Sequence, residues 1–166
     1  MMLYYGHSGK SKGIDYLVEA IPEIVKRHED GVLIFNLIPA KRDREMKERI
    51  ALYKDVVIFN EQPQEDLREL IATADLVIAP SLAEGFGSVH SEACAMGKVL
   101  LTTQVAAIPE VVSGKVKFVQ SGSREAILQG IEEVRAGKVE VLPEKCFGWD
   151  ESVERIEELY LGLKSL

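Results

Sequence analysis

Between Pro80 and Gly97 the chain reads PSLAEGFGSVHSEACAMG, and its chemistry-bearing residues fall in a definite order. An acid, Glu84, precedes Gly85-Phe86-Gly87, and a second acid, Glu92, follows with seven residues between the two. Glycine at 85 and 87 lets the backbone approach a ligand with no β-carbon in the way. A helix opening at Ser88 leaves the amides of Gly87, Ser88 and Val89 without intrahelical acceptors, and these amides with the helix dipole form an anion site. Glu92 lies one turn further on, about 6 Å up the axis at about 1.5 Å per residue, so both acids can face one crevice. Carboxylates hold phosphate poorly and accept hydrogen bonds from hydroxyls well. Hydroxyls at both ends of a ligand with phosphate between them describe a sugar nucleotide. The plainer alternative makes Glu84 a loop carboxylate and Glu92 a surface cap or salt bridge. Several independent requirements agree on the ligand reading.

A second stretch, YYGHSGKSKG (Tyr4–Gly13), also leaves an apolar run and enters a helix. Its Gly9-Lys10-Ser11 suggests a nucleoside-triphosphate loop, but that motif needs a further glycine where this chain has Tyr4. The loop therefore meets phosphate, if at all, in another way.

The elements that must position these residues are legible as alternation of short apolar runs with amphipathic stretches, the pattern of a parallel α/β sheet. The expected strands are 2–5, 32–38, 56–59, 75–81, 99–103 and 116–119. The expected helices are 12–28, 41–52, 65–73, 88–96, 124–135 and 151–163, with a helical turn at 109–112. Ile14, Leu17, Val18, Ile21, Ile24 and Val25 share one face of the first helix. Pro22 is expected to bend that helix or remove one hydrogen bond, and Pro39 to stop the second strand. The whole is a doubly wound, Rossmann-like parallel sheet of about six strands with helices on both faces, its ligand crevice beyond the carboxyl ends of the strands.

The chain has 166 residues, enough for one self-sufficient core. Its 20 basic and 27 acidic residues give a net charge of −7, which argues against a nucleic-acid surface as the main partner. Two cysteines, Cys94 and Cys146, make neither a disulfide framework nor a metal-ligand set. Cys94 reads as a buried free thiol, suited to a reducing compartment. His90 and Cys94 lie one turn apart, but two residues are an incomplete metal site. No signal peptide or membrane-spanning run is evident, so a cytoplasmic location is expected.

The Pro80–Gly97 stretch resembles the C-terminal, donor-binding half of the two-domain retaining glycosyltransferases of family four, which share a glycogen-phosphorylase-like architecture. Pro80, Ser81, Glu84, Gly85, Phe86, Gly87, Glu92, Ala93, Ala95 and Gly97 match that pattern. Supporting matches are Lys12-Gly13, Ile108–Val112 and Trp149. The resemblance implies that Glu84 contacts hydroxyls of the transferred sugar and acts as the catalytic-side acid, and that Glu92 meets the ribose. It implies that amides of Phe86, Gly87, Ser88 and Val89 hold sugar and diphosphate. Lys12 would neutralise the diphosphate, with Gly6 and His7 in the same donor-facing loop and Lys10 solvated. It implies no cofactor and no metal, since lysine and the helix end supply the positive charge.

The chain departs from the family at His7, where arginine is usual; at Asn36–Ile38, where Gly-x-Gly is usual; at Asn60, for glycine; and at Ala106-Ala107, for Gly-Gly. His7 is either a neutral loop residue or a phosphate contact whose strength falls as pH rises. Glu110 suits a structural role in its loop. Gln62 and Pro63 fall in the family's base-side loop and do not identify the base.

Residues 1–166 are therefore expected to form a single donor-binding domain without the N-terminal acceptor domain, nearly inactive alone. With that partner domain or subunit it would transfer a hexose, such as mannose or glucose, from a nucleotide diphosphate sugar to a sugar or lipid-linked acceptor. Peripheral contact with a membrane would come through the missing half. Two other readings stand beside it: a non-catalytic sugar-nucleotide-binding or docking module, and half of a sugar-nucleotide epimerase or hydrolase.

Overall fold

Uninterrupted apolar runs become strands covered on both faces, because parallel strands joined by helical crossovers are packed from either side. The computed structural model describes residues 1–163 apart from 30, 39, 40, 55, 61 and 62, so Pro39 and Gln62 lie outside the described residues. The strands are β1 (Met2–His7), β2 (Leu33–Ile38), β3 (Val56–Asn60), β4 (Leu76–Ala79), β5 (Val99–Thr103), β6 (Gly114–Val119) and β7 (Glu140–Leu142). The helices are α1 (Ile14–Arg27), α2 (Asp43–Ile50), α3 (Gln64–Thr73), α4 (Ser88–Ala95), α5 (Ile108–Val111), α6 (Arg124–Arg135) and α7 (Trp149–Leu163).

One seven-stranded sheet runs in the order β3-β2-β1-β4-β5-β6-β7. The pairings from β3 to β6 are parallel, and β7 is antiparallel to β6. The six expected strands are all present, and β7 adds a short antiparallel edge. The seventh is three residues long and half-exposed or exposed throughout, too short for either an apolar run or an alternation to register. The order reverses between β1 and β4, and a doubly wound sheet opens its ligand crevice at that switch point.

Side chains alternate across the sheet. Tyr4, Phe35, Ile78 and Leu101 face a core layer built with α1, α2 and α6. Leu3, Tyr5, Val77 and Leu100 face a layer built with α3, α4 and α5. Ile14, Leu17, Val18, Ile21 and Ile24 are buried on α1 as expected, and exposed Pro22 does not interrupt the helix. Arg42 holds both carboxylate oxygens of Asp15 at 2.8 Å, and Arg49 adds a third contact at 2.6 Å, tying α2 to the start of α1. Hydrogen bonds from Arg42 hold the Asp15 carboxyl down at about 2, with Arg49 contributing.

Two boundaries bear on the crevice. β1 runs two residues beyond expectation, because Gly6 and His7 still pair in register with Leu37 and Ile38. α1 begins at Ile14 rather than residue 12, because Lys10–Lys12 form a separate 3₁₀ turn ended by Gly13 at φ +65°.

Candidate active site

The loops leaving β1 and β4 meet at the switch point, and backbone holds them together. The Ser11 carbonyl accepts from the amides of Leu82 at 2.7 Å and Ala83 at 3.2 Å. Gly13 packs so closely on the Pro80 carbonyl that a β-carbon there would lie 1.9 Å from its oxygen. This clasp sets the 3₁₀ turn against the Glu84 loop. Lys12 and Glu84 form an ion pair across it, both largely withdrawn from solvent. The sequence could name both residues but not their pairing, which spans 72 positions.

Gly87 caps α4 in a left-handed conformation, φ +89°, and no side chain caps the helix. Backbone bonding in α4 starts with the His90 and Ser91 amides on the Gly87 carbonyl, leaving the tip at Ser88 and Val89 with donors aimed outward. A β-carbon on Gly87 would meet His90 Nδ1 at 2.7 Å and Glu84 Cγ at 3.1 Å, whereas one on Gly85 would meet nothing within 4 Å. The second glycine of the triplet is thus required by the fold itself, and the first is not.

Tyr5 on β1 reaches α4, its hydroxyl donating to the Val89 carbonyl at 2.9 Å. Burial pushes the Tyr5 phenol up, with the neighbouring Glu92 carboxylate adding to the effect. Glu92 itself is exposed. Glu84 stands before the α4 tip, held by Lys12 from the loop after β1, and Glu92 stands one turn along α4, beside Tyr5 of that strand. Gly6, at φ +137°, is buried beneath, where a β-carbon would touch Val89 Cγ2 at 3.7 Å. His7 is exposed at the end of β1, its carbonyl accepting from the Tyr4 hydroxyl at 2.7 Å. Ser88 is exposed and Val89 half-buried, and Lys10 is exposed.

Other residues at this end of the sheet were not legible in advance. Phe86 is 47% exposed and its ring meets that of Phe147 edge-on, centroids 5.2 Å apart, so the segment after β7 returns across the motif. Ser8 is fully buried, and its Oγ has no partner among the described residues. Asn36 is buried beside Tyr5 in the strand register, its Oδ1 also unpaired among them. A serine or asparagine in a strand-end pattern carries no signal of either fact. His90 and Cys94 do not converge: His90 Nε2 lies 2.9 Å from Thr102 Oγ1, and Cys94 Sγ accepts from the Ser113 amide at 3.3 Å.

Ala106 shows why glycine is usual before Ile-Pro-Glu. It has φ +48°, the one positive φ outside glycine among the described residues. Left-handed alanine costs about 1–2 kcal/mol, partly offset in a glycine variant by chain entropy of about 0.5–1 kcal/mol. Ala106→Gly is expected to raise the melting temperature by about 2–4 °C, for a gain of about 1 kcal/mol in a chain this size. A fall in thermal denaturation would show that the loop is relaxed as it stands.

With two acids, an amide-lined helix tip and a lysine gathered at the switch point, the decisive comparison is with families. The model described as Glycosyl transferases group 1 matches residues 1–136. The chain belongs to that family. Among curated relatives of this group 1 chain is the phosphatidylinositol N-acetylglucosaminyltransferase GPI3 subunit of Saccharomyces cerevisiae, 26% identical over 177 residues, covering 99% of this chain and 39% of the relative. An uncharacterized glycosyltransferase of Methanocaldococcus jannaschii is 29% identical over 138 residues, covering 81% of this chain and 35% of the relative. The group 1 chain thus spans well under half the length of these relatives. In fold it is similar to the C-terminal domain of a glycosyl transferase group 1 family protein, LpcC, from Francisella tularensis. That match has TM-score 0.69 and 20% identity, over 81% of this chain and 75% of that one. It is also similar to sucrose-phosphate synthase of Thermosynechococcus elongatus, with TM-score 0.76 and 21% identity, over 99% of this chain and 45% of that one.

Proposed function

We propose that this group 1 chain is a single donor-binding domain that holds a nucleotide diphosphate sugar for a transferase that retains anomeric configuration. The observation that carries this reading is the Lys12–Glu84 pair beside the uncapped tip of α4 at the switch point, with Glu92 one turn along that helix. Diphosphate, on this reading, takes the amides of Gly87, Ser88 and Val89 and the charge of Lys12. Glu84 and Glu92 take hydroxyls of the sugar and the ribose, with Gly6 and His7 floor and rim of the diphosphate pocket.

When the sugar–oxygen bond to the diphosphate breaks, negative charge grows on the leaving oxygen. Donors already aimed at that point stabilise it without reorganising. Lys12 and the α4 tip are such donors, and the reading assigns no metal to this task. The transferred group is a hexose or, by the printed name of the yeast relative, an N-acetylated one. The remaining wall, with the acceptor, comes from a partner domain or subunit, as the greater length of the relatives supports. Among the described residues no helix is long and apolar enough to cross a membrane, and a cytoplasmic, membrane-peripheral setting through the partner fits this reading.

A docking role without chemistry is favoured by one observation. All of α7 is exposed, including Trp149, Val153, Ile156, Tyr160 and Leu163 at helical spacing. Calorimetric titration of the chain with UDP-, GDP- and ADP-linked sugars separates the readings. Saturable binding of at least one, with a matching rise in melting temperature, is the expected result. Binding of none would leave the docking role.

A further inference from the structure

His90 is 1% exposed beneath the α4 tip, and its surroundings fix which nitrogen carries the proton. Thr102 Oγ1 gives its only hydrogen to the Ala79 carbonyl at 2.8 Å. It can therefore only accept from His90 Nε2, 2.9 Å away. With the Thr102 hydrogen assigned to Ala79, the neutral ring carries its proton on Nε2 and keeps a lone pair on Nδ1. That nitrogen has no hydrogen-bond partner among the described residues. It faces the backbone of Gly87, where a β-carbon would sit 2.7 Å from it. A buried acceptor with nothing to accept is costly, and this one lies directly behind the amides that would receive an anion.

Two charged groups face the ring: Glu84 from the loop before α4, and Lys12 from the 3₁₀ turn after β1. β5 contributes only the Thr102 hydroxyl and β4 only the Ala79 carbonyl. Burial holds the free imidazole below its ordinary range; among the smaller influences Glu84 opposes this and Lys12 adds to it. With Lys12 and Glu84 paired, burial favours the neutral ring. A diphosphate at the α4 tip brings negative charge to this site and draws Lys12 towards itself, so both changes favour imidazolium. The Gly87 carbonyl lies where a proton on Nδ1 would find an acceptor.

We propose that His90 takes up a proton at Nδ1 from solvent when a diphosphate seats on the α4 amides, so that the chain binds its anionic ligand together with one proton. His90 is on this account a positioning residue: it places a second positive charge behind the phosphate through the loop, without touching the ligand. The proposal rests on the donor-binding reading above and adds a specific residue and a proton to it.

The test is calorimetric titration with UDP-glucose and GDP-mannose, whose diphosphates do not themselves ionise near neutrality. Titrations are run at about pH 6 and about pH 8, in buffers of different ionisation enthalpy. Wild type, His90→Gln and His7→Gln are compared. Wild type is expected to bind about 30-fold more weakly at the higher pH and to take up close to one proton per ligand at intermediate pH. His90→Gln, whose amide can still donate to Thr102, is expected to lose both effects, while His7→Gln, which alters the rim of the proposed pocket, lowers affinity at both pH values and leaves the proton uptake at His90 in place. Nitrogen NMR of the His90 ring reports the same event without a variant, as a bare Nδ1 that becomes protonated on adding ligand. Binding that is independent of pH, pH dependence that survives His90→Gln or vanishes with His7→Gln, or a ring that stays neutral when saturated would each overturn the proposal alone. Binding of neither sugar nucleotide at any pH would instead overturn the donor-binding reading for these two donors, and the proton linkage with it.

Discussion

Lys12→Ala is expected to weaken binding of UDP or GDP by about 30-fold, roughly 2 kcal/mol, the size of a lost charge-assisted contact. The lysine does not reach the crevice from a free loop. Its 3₁₀ turn is fixed by the Ser11 carbonyl to the amides of Leu82 and Ala83, so its ammonium group meets a ligand with little ordering cost. Glu84→Gln should act with the opposite sign on the bare diphosphate. Removing the carboxylate releases Lys12 and takes away a repulsive charge, so UDP binds more tightly. Binding of the sugar-linked diphosphate gains less, because the hydroxyl acceptor is weakened. Isothermal titration of both variants with UDP and UDP-sugars reads both effects. Unchanged UDP affinity in Lys12→Ala would show that the lysine serves only to neutralise Glu84.

Gly13→Ala is expected to destabilise the fold by about 3 kcal/mol. Part comes from placing a side chain at φ +65°, and part from a β-carbon 1.9 Å from the Pro80 oxygen. That oxygen belongs to backbone, which cannot swing aside as the end of a side chain can, so the two loops must separate. Thermal unfolding followed by circular dichroism should show the midpoint lowered by about 6–12 °C. Affinity for UDP should fall as well, because the clasp that sets Lys12 opposite Glu84 opens. An unchanged midpoint would mean that the loops are not seated on each other in solution.

What the sequence disclosed about this protein divides by distance along the chain. The strand and helix alternation, the apolar face of α1 and the order Glu84, Gly85-Phe86-Gly87, Glu92 are local patterns, and the first two carried over into the fold. The departure at Ala106 was visible as a residue type, but only the backbone shows that it occupies a left-handed position. Contacts between distant segments left no trace: Lys12 with Glu84, His90 with Thr102, Phe86 with Phe147. His90 illustrates the loss most clearly. From sequence it was half of an incomplete metal pair with Cys94, because its hydrogen-bond partner, Thr102, stands on β5. The strand β7 was missed for a different reason, since an exposed edge of three residues needs no hydrophobic pattern to pair.

The span of 72 positions from Lys12 to Glu84 also has a consequence for how the proposed pocket comes into being. Closing so long a loop carries an entropic cost that local contacts cannot offset, so the two walls meet only after β4 has docked beside β1. The segment ending with α3 carries Lys12 and the segment starting at β4 carries both acids and the α4 tip, so neither alone holds the whole of the proposed pocket. On the proposed reading, affinity for a ligand belongs to the finished tertiary structure, and the recognition surface matures only once the two segments have met.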